Sequence, residues 1–179
     1  KIIEGTRCSS VSTDAAGNVF LAGIFNDNFG STITIGSTTL TSAGRTDAYI
    51  AKLSSTGDVL WAKSIGGPGD DEISSVNADG IGNIFVTGDF TNGPLTIGSA
   101  TLINSFNTST LDMFIADYDP EGNLIWAKSV GGNGHDWGFS VCGDKMGNVF
   151  VTGQFNSDSI AFGSNTLTST LNTGGMFIA

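Results

Sequence analysis

The chain has 179 residues, 39% of them hydrophobic, which is enough to bury a sizeable core. Its formal net charge is −10 and its seven Lys and Arg are scattered singly, so no basic stripe exists to neutralise phosphates, and nucleic acid is not an expected partner. No apolar run approaches the roughly 20 residues of a spanning helix and no basic-then-apolar leader is present, so no transmembrane segment is expected; a chain opening at Lys1 reads as a processed product or a fragment.

Twenty-six glycines, many β-branched residues and only three prolines (Pro68, Pro94 and Pro120) predict short strands separated by tight turns. The order of those strands repeats. GNVFLAGIF at Gly17 returns as GNIFVTGDF at Gly82 and GNVFVTGQF at Gly147, and LWAKSIGG around Trp61 returns as IWAKSVGG around Trp126. The chain therefore holds about 2.6 copies of a 65-residue unit. A fixed long period marks units that bury their apolar faces against one another.

Each unit opens with two strands joined at Asp14 to Gly17, Asp79 to Gly82 or Asp144 to Gly147. There Asp can accept from backbone two residues on and Gly can close a type I turn with a bulge. The second strand is apolar almost throughout, as in Ile84, Phe85 and Val86, which predicts cover on both faces. It also carries a glycine in every copy, Gly23, Gly88 and Gly153, where a bulge or close backbone approach is expected. Next come ITIGSTTL, LTIGSATL and IAFGSNTL, whose central Gly-Ser predicts an extra hairpin with a type II′ turn, flanked by surface loops of differing length. The unit closes with Asp47 to Gly67, matched without gaps by Asp112 to Gly132: two strands around a turn at Gly57 or Gly122, the second carrying Trp61 or Trp126. Four strands joined by local hairpins give an antiparallel sheet in consecutive order, the outline of a propeller blade.

The expected fold is all-β, with blades at 7–71, 72–136 and, incomplete, 137–179. A β-solenoid of stacked hairpins is the alternative, because 65 residues is long for a blade. Ala179 aligns with Ala51 and Ala116, so the third unit stops inside its third strand, whereas propellers close with typically four to eight blades. Part of a larger propeller is the first expectation; closure by self-association or an open arc is the second. Cys8 and Cys142 lie a whole unit or more apart, too far for a bridge, and are expected as free, mostly buried thiols.

The combination D-x-x-G-N-V/I-F-V-T-G, D-x-F-I-A and G-x-L-x-W-A-K-S-x-G-G resembles the bacterial β-propeller repeat family abbreviated SBBP, over essentially the whole chain. The resemblance implies a secreted or surface-exposed bacterial protein whose blades bind or space, and it brings no catalytic residues.

A residue present in every copy is read as holding the blade, and one that differs at a shared position as free to serve function. Asp14, Asp79 and Asp144 are accordingly turn residues, and Trp61 and Trp126 pack between blades. The acidic run Asp70, Asp71 and Glu72 is a candidate calcium loop, since hard cations take several carboxylate oxygens. Its counterparts are His135, Asp136, Trp137 and Gly5, Thr6, Arg7, which disfavours a shared metal site, so no cofactor is expected. His135, Asp136 and Trp137 form the preferred binding loop, because an exposed ring can stack on a sugar or anchor a protein. Asn107 opens an N-x-S sequon. The leading reading is a non-enzymatic extracellular or cell-surface module that recognises a glycan, a protein or other domains of its own polypeptide. A structural spacer, and a propeller hydrolase or lyase, are the alternatives; no nucleophile elbow or convergent acid set supports the last.

Overall fold

The structure, a computed structural model, describes residues 4–25, 30–106, 109–169 and 174–179, and all regular structure among them is β. The Asn107 sequon lies outside the described residues. Strands β1 (Thr6–Thr13) and β2 (Val19–Phe25) open the first unit, β3 (Thr32–Ile35) and β4 (Thr38–Thr41) form its small hairpin, and β5 (Asp47–Leu53) and β6 (Val59–Gly66) close it. The second unit repeats this with β7 (Asp71–Ala78), β8 (Ile84–Phe90), β9 (Leu95–Ile97), β10 (Ala100–Leu102), β11 (Asp112–Tyr118) and β12 (Leu124–Val130). The third has β13 (Asp136–Gly143), β14 (Val149–Phe155), the hairpin β15 (Ser159–Phe162) and β16 (Asn165–Thr168), and β17 (Gly175–Ile178).

The main strands run β1-β2-β5-β6, β7-β8-β11-β12 and β13-β14-β17, every neighbour antiparallel. The small hairpins do more than decorate. Hairpin β9–β10 of the second unit pairs onto β6 of the first through Ile65 opposite Ile97 and Gly66 opposite Thr96, extending the first sheet to six strands.

The turns follow the sequence closely. Gly17 sits at φ 80 and donates to the Asp14 carbonyl, while the Asp14 side chain caps the amides of Ala16 and Asn18. Asp144 and Asp119 repeat that pattern, and accepting those bonds holds both carboxyls below the usual carboxylate range. Gly36, Gly98 and Gly163 carry positive φ and the serine after each does not, as a type II′ turn requires.

Bulges interrupt β1, β7 and β13 at Cys8/Ser10, Ile73/Ser75 and Gly138/Ser140, each opposite the glycine of the neighbouring strand. The bulge presses a carbonyl against that glycine, so a Cβ at Gly23, Gly88 or Gly153 would collide with the Arg7, Glu72 or Trp137 oxygen.

Two cores lie between blades. Phe20, Ala22, Ala48, Ile50 and Ile65 of the first blade interlock with Ile73, Val76, Val86, Phe90 and Phe114 of the second. Phe85, Met113, Ile115 and Val130 meet Val141, Val151, Phe155 and Phe177 of the third. Strands β8 and β11 are buried along their whole length, which for β8 is the double cover its apolar run predicts. Strand β14 is covered on one face only, and Phe150 is exposed where Phe20 and Phe85 are buried.

Side chains of one inner strand bond to the amides of the next. Ser10 and Ser12 accept from Val76 and Ala78 at 3.1 and 3.0 Å, and Ser75 and Asn77 accept from Val141 and Gly143 at 3.3 and 2.9 Å. Trp61 also bridges blades, as its repetition implies: its Nε1 and Lys52 Nζ both donate to the Pro120 carbonyl.

The cysteines correct one expectation. Cys8 and Cys142 are free but exposed, not buried. Register explains it: Cys8 occupies the position of Ile73, which the preceding blade covers, and Cys142 that of Asn77, which reaches the following one. Among the described residues no blade lies on those two sides.

No helix among the described residues is long and apolar enough to cross a membrane.

Candidate functional site

Asp70, Asp71 and Glu72 do not converge. Successive side chains of a strand point to opposite faces, so Asp71 and Glu72 diverge by construction. Asp70 is part-exposed and pairs with Arg45 at 3.5 Å, Asp71 is wholly buried, and Glu72 stands at the surface beside Asp89. Among the described residues no three His, Cys, Asp or Glu lie close enough to hold a metal ion.

The same alternation splits His135, Asp136 and Trp137. Asp136 turns inward: its Oδ2 accepts from the Gly132 amide at 2.9 Å and the Ser157 hydroxyl at 2.6 Å, and its own amide donates to the Leu111 carbonyl. It pins the loop and is out of reach of any ligand. His135 and Trp137 instead come together, ring centroids 5.6 Å apart and planes at 24°, with His135 exposed and Trp137 half-buried. The imidazole is oriented by Leu111, whose amide donates to Nδ1 at 3.2 Å, which leaves Nε2 as the ring's remaining polar atom. Asn133 and Asp158 brace the loop through two mutual hydrogen bonds, at 2.7 and 2.9 Å. The result is a braced aromatic platform found in one blade alone.

Trp137 belongs to a variable row. It pairs with Gln154 across the hairpin, its counterpart Glu72 with Asp89, and Arg7 with Ile24. Burial, reinforced by the Glu72 charge, pushes the Asp89 carboxyl up to about 7.

The groups that sequence reading missed lie at the blade junctions. Asp71 accepts the Gly67 amide at 2.6 Å, and Asp47 lies against Gly66, where a Cβ would collide with its carboxylate. One blade on, Asp136 accepts the Gly132 amide and Asp112 lies against Gly131. Each junction thus buries two carboxyls around a Gly-Gly pair, with one oxygen, Asp71 Oδ1 or Asp112 Oδ1, that no protein group bonds. Burial, then Asp47 and Asp70, push Asp71 up to about 8 against the opposing pull of the Gly67 amide. Burial also raises Asp47 and Asp112. The repetition of D-x-Y/F-I-A and of Asp four residues after Gly-Gly was the available signal.

A groove of about 560 Å³ runs between the first two blades, lined by Lys63, Ser64, Ser99, Asn123 and Tyr118, whose buried hydroxyl has no protein partner.

No family model matches the chain. Over 163 residues it is 27% identical to an uncharacterized WD repeat-containing protein, L264, of Acanthamoeba polyphaga mimivirus, covering 86% of this chain and 12% of that protein. Over 115 residues it is 27% identical to the regulatory protein FlaEY of Caulobacter vibrioides, covering 64% of this chain and 12% of that one. The chain therefore matches about an eighth of the length of these curated relatives. A crystal structure of a Bacteroides caccae protein of unknown function aligns over 97% of this chain and 61% of its own, with 14% identity and a TM-score of 0.34. With its antiparallel blades and its similarity to a WD repeat-containing protein, the chain is a repeat, β-propeller-like protein.

Proposed function

We propose that this chain is a non-enzymatic recognition module of a secreted or cell-surface protein, of the kind the SBBP-type resemblance implies, and that it contacts a saccharide through the His135–Trp137 platform. The observation that carries the reading is the stacked pair itself, braced on the surface at a position where the other blades present Asp70 and Glu72 or Gly5 and Arg7. An indole face receives the C–H face of a sugar ring, and the neighbouring imidazole supplies a polar edge for a hydroxyl. Several such weak contacts across a larger array would add through effective concentration.

The test is a glycan panel read by intrinsic tryptophan fluorescence, followed by Trp137→Ala on any glycan bound. The variant is expected to lose at least about tenfold in affinity with an unchanged melting temperature, because Trp137 lies outside the blade cores. Unchanged affinity, or no binding across the panel, would remove the platform as a saccharide site.

A further inference from the structure

The groove between the first two blades is walled by complete units and pinned at both ends. At one end hairpin β9–β10 reaches across it. Ile97 pairs with Ile65 of the first blade, and Gly98, at φ 55, lies so close to the second blade that a Cβ there would stand 3.1 Å from the Leu124 Cβ. At the other end the turn after β11 is clamped to the first blade: the Pro120 carbonyl accepts from Trp61 and Lys52, and Gly122 rests on the Trp61 ring. The groove thus stays open at a junction where both neighbouring blades are in place, and its volume of about 560 Å³ falls within the roughly 300–1,000 Å³ of small-molecule sites.

Two lining residues differ from their counterparts in the first unit, and both differences leave a neutral hydrogen-bonding group. Tyr118 stands where the first unit has Leu53: it pairs with Ile84 and Leu124 as Leu53 pairs with Val19 and Val59. Its ring belongs to the core facing the first blade, it is 2% exposed, and its hydroxyl has no protein partner. A desolvated hydroxyl of this kind gains a hydrogen bond when a polar ligand is seated against it. Asn123 stands where the first unit has Asp58; its Nδ2 donates to Asp119 at 2.8 Å, which leaves the side-chain oxygen as an acceptor. Lys63 supplies the one charge of the lining. Its stem lies against Gly122, and among the described residues the sole ion pair is Arg45–Asp70, so no carboxylate engages Lys63. Its counterpart Lys128 lies instead over the Trp126 ring.

We propose that this groove binds a hexuronate, a sugar ring that carries a carboxylate, with Lys63 opposite the carboxylate and Tyr118, Ser64, Ser99 and Asn123 on the ring hydroxyls. One cation matches one carboxylate, and hydroxyl and amide groups that both donate and accept match a polyol. No carboxylate lines the groove in a chain of net charge −10, so the bound anion meets no acid at contact distance. The site is separate from the His135–Trp137 platform and does not rest on it.

The test is an amide-resolved NMR titration of the chain with D-glucuronate, and with D-glucose as the neutral control. Glucuronate is expected to shift the amides of Lys63, Ser64, Ser99 and Asn123 and to bind at least about tenfold more tightly than glucose, the worth of one charge-assisted hydrogen bond. Tyr118→Phe keeps the ring and removes the unpartnered hydroxyl. It is expected to weaken glucuronate binding about tenfold without lowering the melting temperature, a combination that a structural role for the hydroxyl would not give. Lys63→Gln, at an exposed position, is expected to abolish the preference for glucuronate over glucose. Trp137→Ala is expected to leave glucuronate binding unchanged, which separates this site from the platform. Unshifted groove amides, equal affinity for the two sugars, a Tyr118→Phe variant that binds as wild type, or loss of glucuronate binding in Trp137→Ala would each overturn the proposal.

Discussion

Gly88→Ala is expected to lower stability by about 3 kcal/mol, a fall in melting temperature of roughly 6–12 °C for a chain of this size. The position has no positive φ, so the cause is space and not backbone strain. Gly88 lies in the central buried strand β8, and the bulge at Ile73/Ser75 places the Glu72 carbonyl and the Ile73 Cα where a Cβ would stand. These are backbone atoms of a paired strand, and they cannot rotate away as a side-chain tip could. Relief requires opening the β7–β8 ladder, which also carries the apolar face of the first core. A thermal melt that moves by less than about 2 °C would show that the bulge yields at little cost.

The second large effect is a loss of stability as pH rises from about 4 to about 8. The buried carboxyls of Asp71, Asp89 and Asp117 stand at about 8, about 7 and about 6, each raised first by burial, and Asp47 and Asp112 are raised as well. Between the unfolded value of 3.8 and these values the folded chain binds more protons than the unfolded one, so the slope of stability against pH is negative. The contribution is fully present below 3.8 and is lost as each folded value is passed. Asp14, Asp119 and Asp144 are lowered by their turn hydrogen bonds and act in the opposite sense, losing stability below that value. The maximum is therefore expected near pH 4 to 5. The melting temperature at pH 8 should be about 10 °C lower, corresponding to a few kcal/mol. Asp71→Asn keeps an acceptor for the Gly67 amide and removes the charge, so it should flatten the profile and exceed wild type at pH 8. A protein more stable at pH 8 than at pH 5, or an Asp71→Asn variant destabilised throughout, would contradict this account of the junction.

The repeat made the blades legible because each local signal agreed with the next: Asp and Gly in the turns, Gly-Ser in the extra hairpin, and an apolar run in the covered strand. The destination of the extra hairpin was not legible. Pairing of Ile97 with Ile65 depends on how one unit sits beside another, and the three residues of β9 carry no sign of it. The exposed cysteines escaped for the same reason, since exposure at Cys8 and Cys142 is decided by which faces have neighbours. At the candidate loop the copy-to-copy comparison singles out His135, Asp136 and Trp137 together, and alternation along β13 turns Asp136 inward. The junction acids were visible as repeats and were passed over because Asp71 was read with its neighbours in sequence and not with Asp47 across the blade boundary.

The most direct test of blade stacking is amide hydrogen exchange at Val76, Ala78, Val141 and Gly143. These amides donate to side chains of the preceding blade, so they are expected to be protected by on the order of a thousandfold or more, with Ser12→Ala reducing protection at Ala78 and leaving Val141 unchanged. Rapid exchange at all four positions, while the ladders of β8 and β11 stay protected, would mean that the blades do not stack.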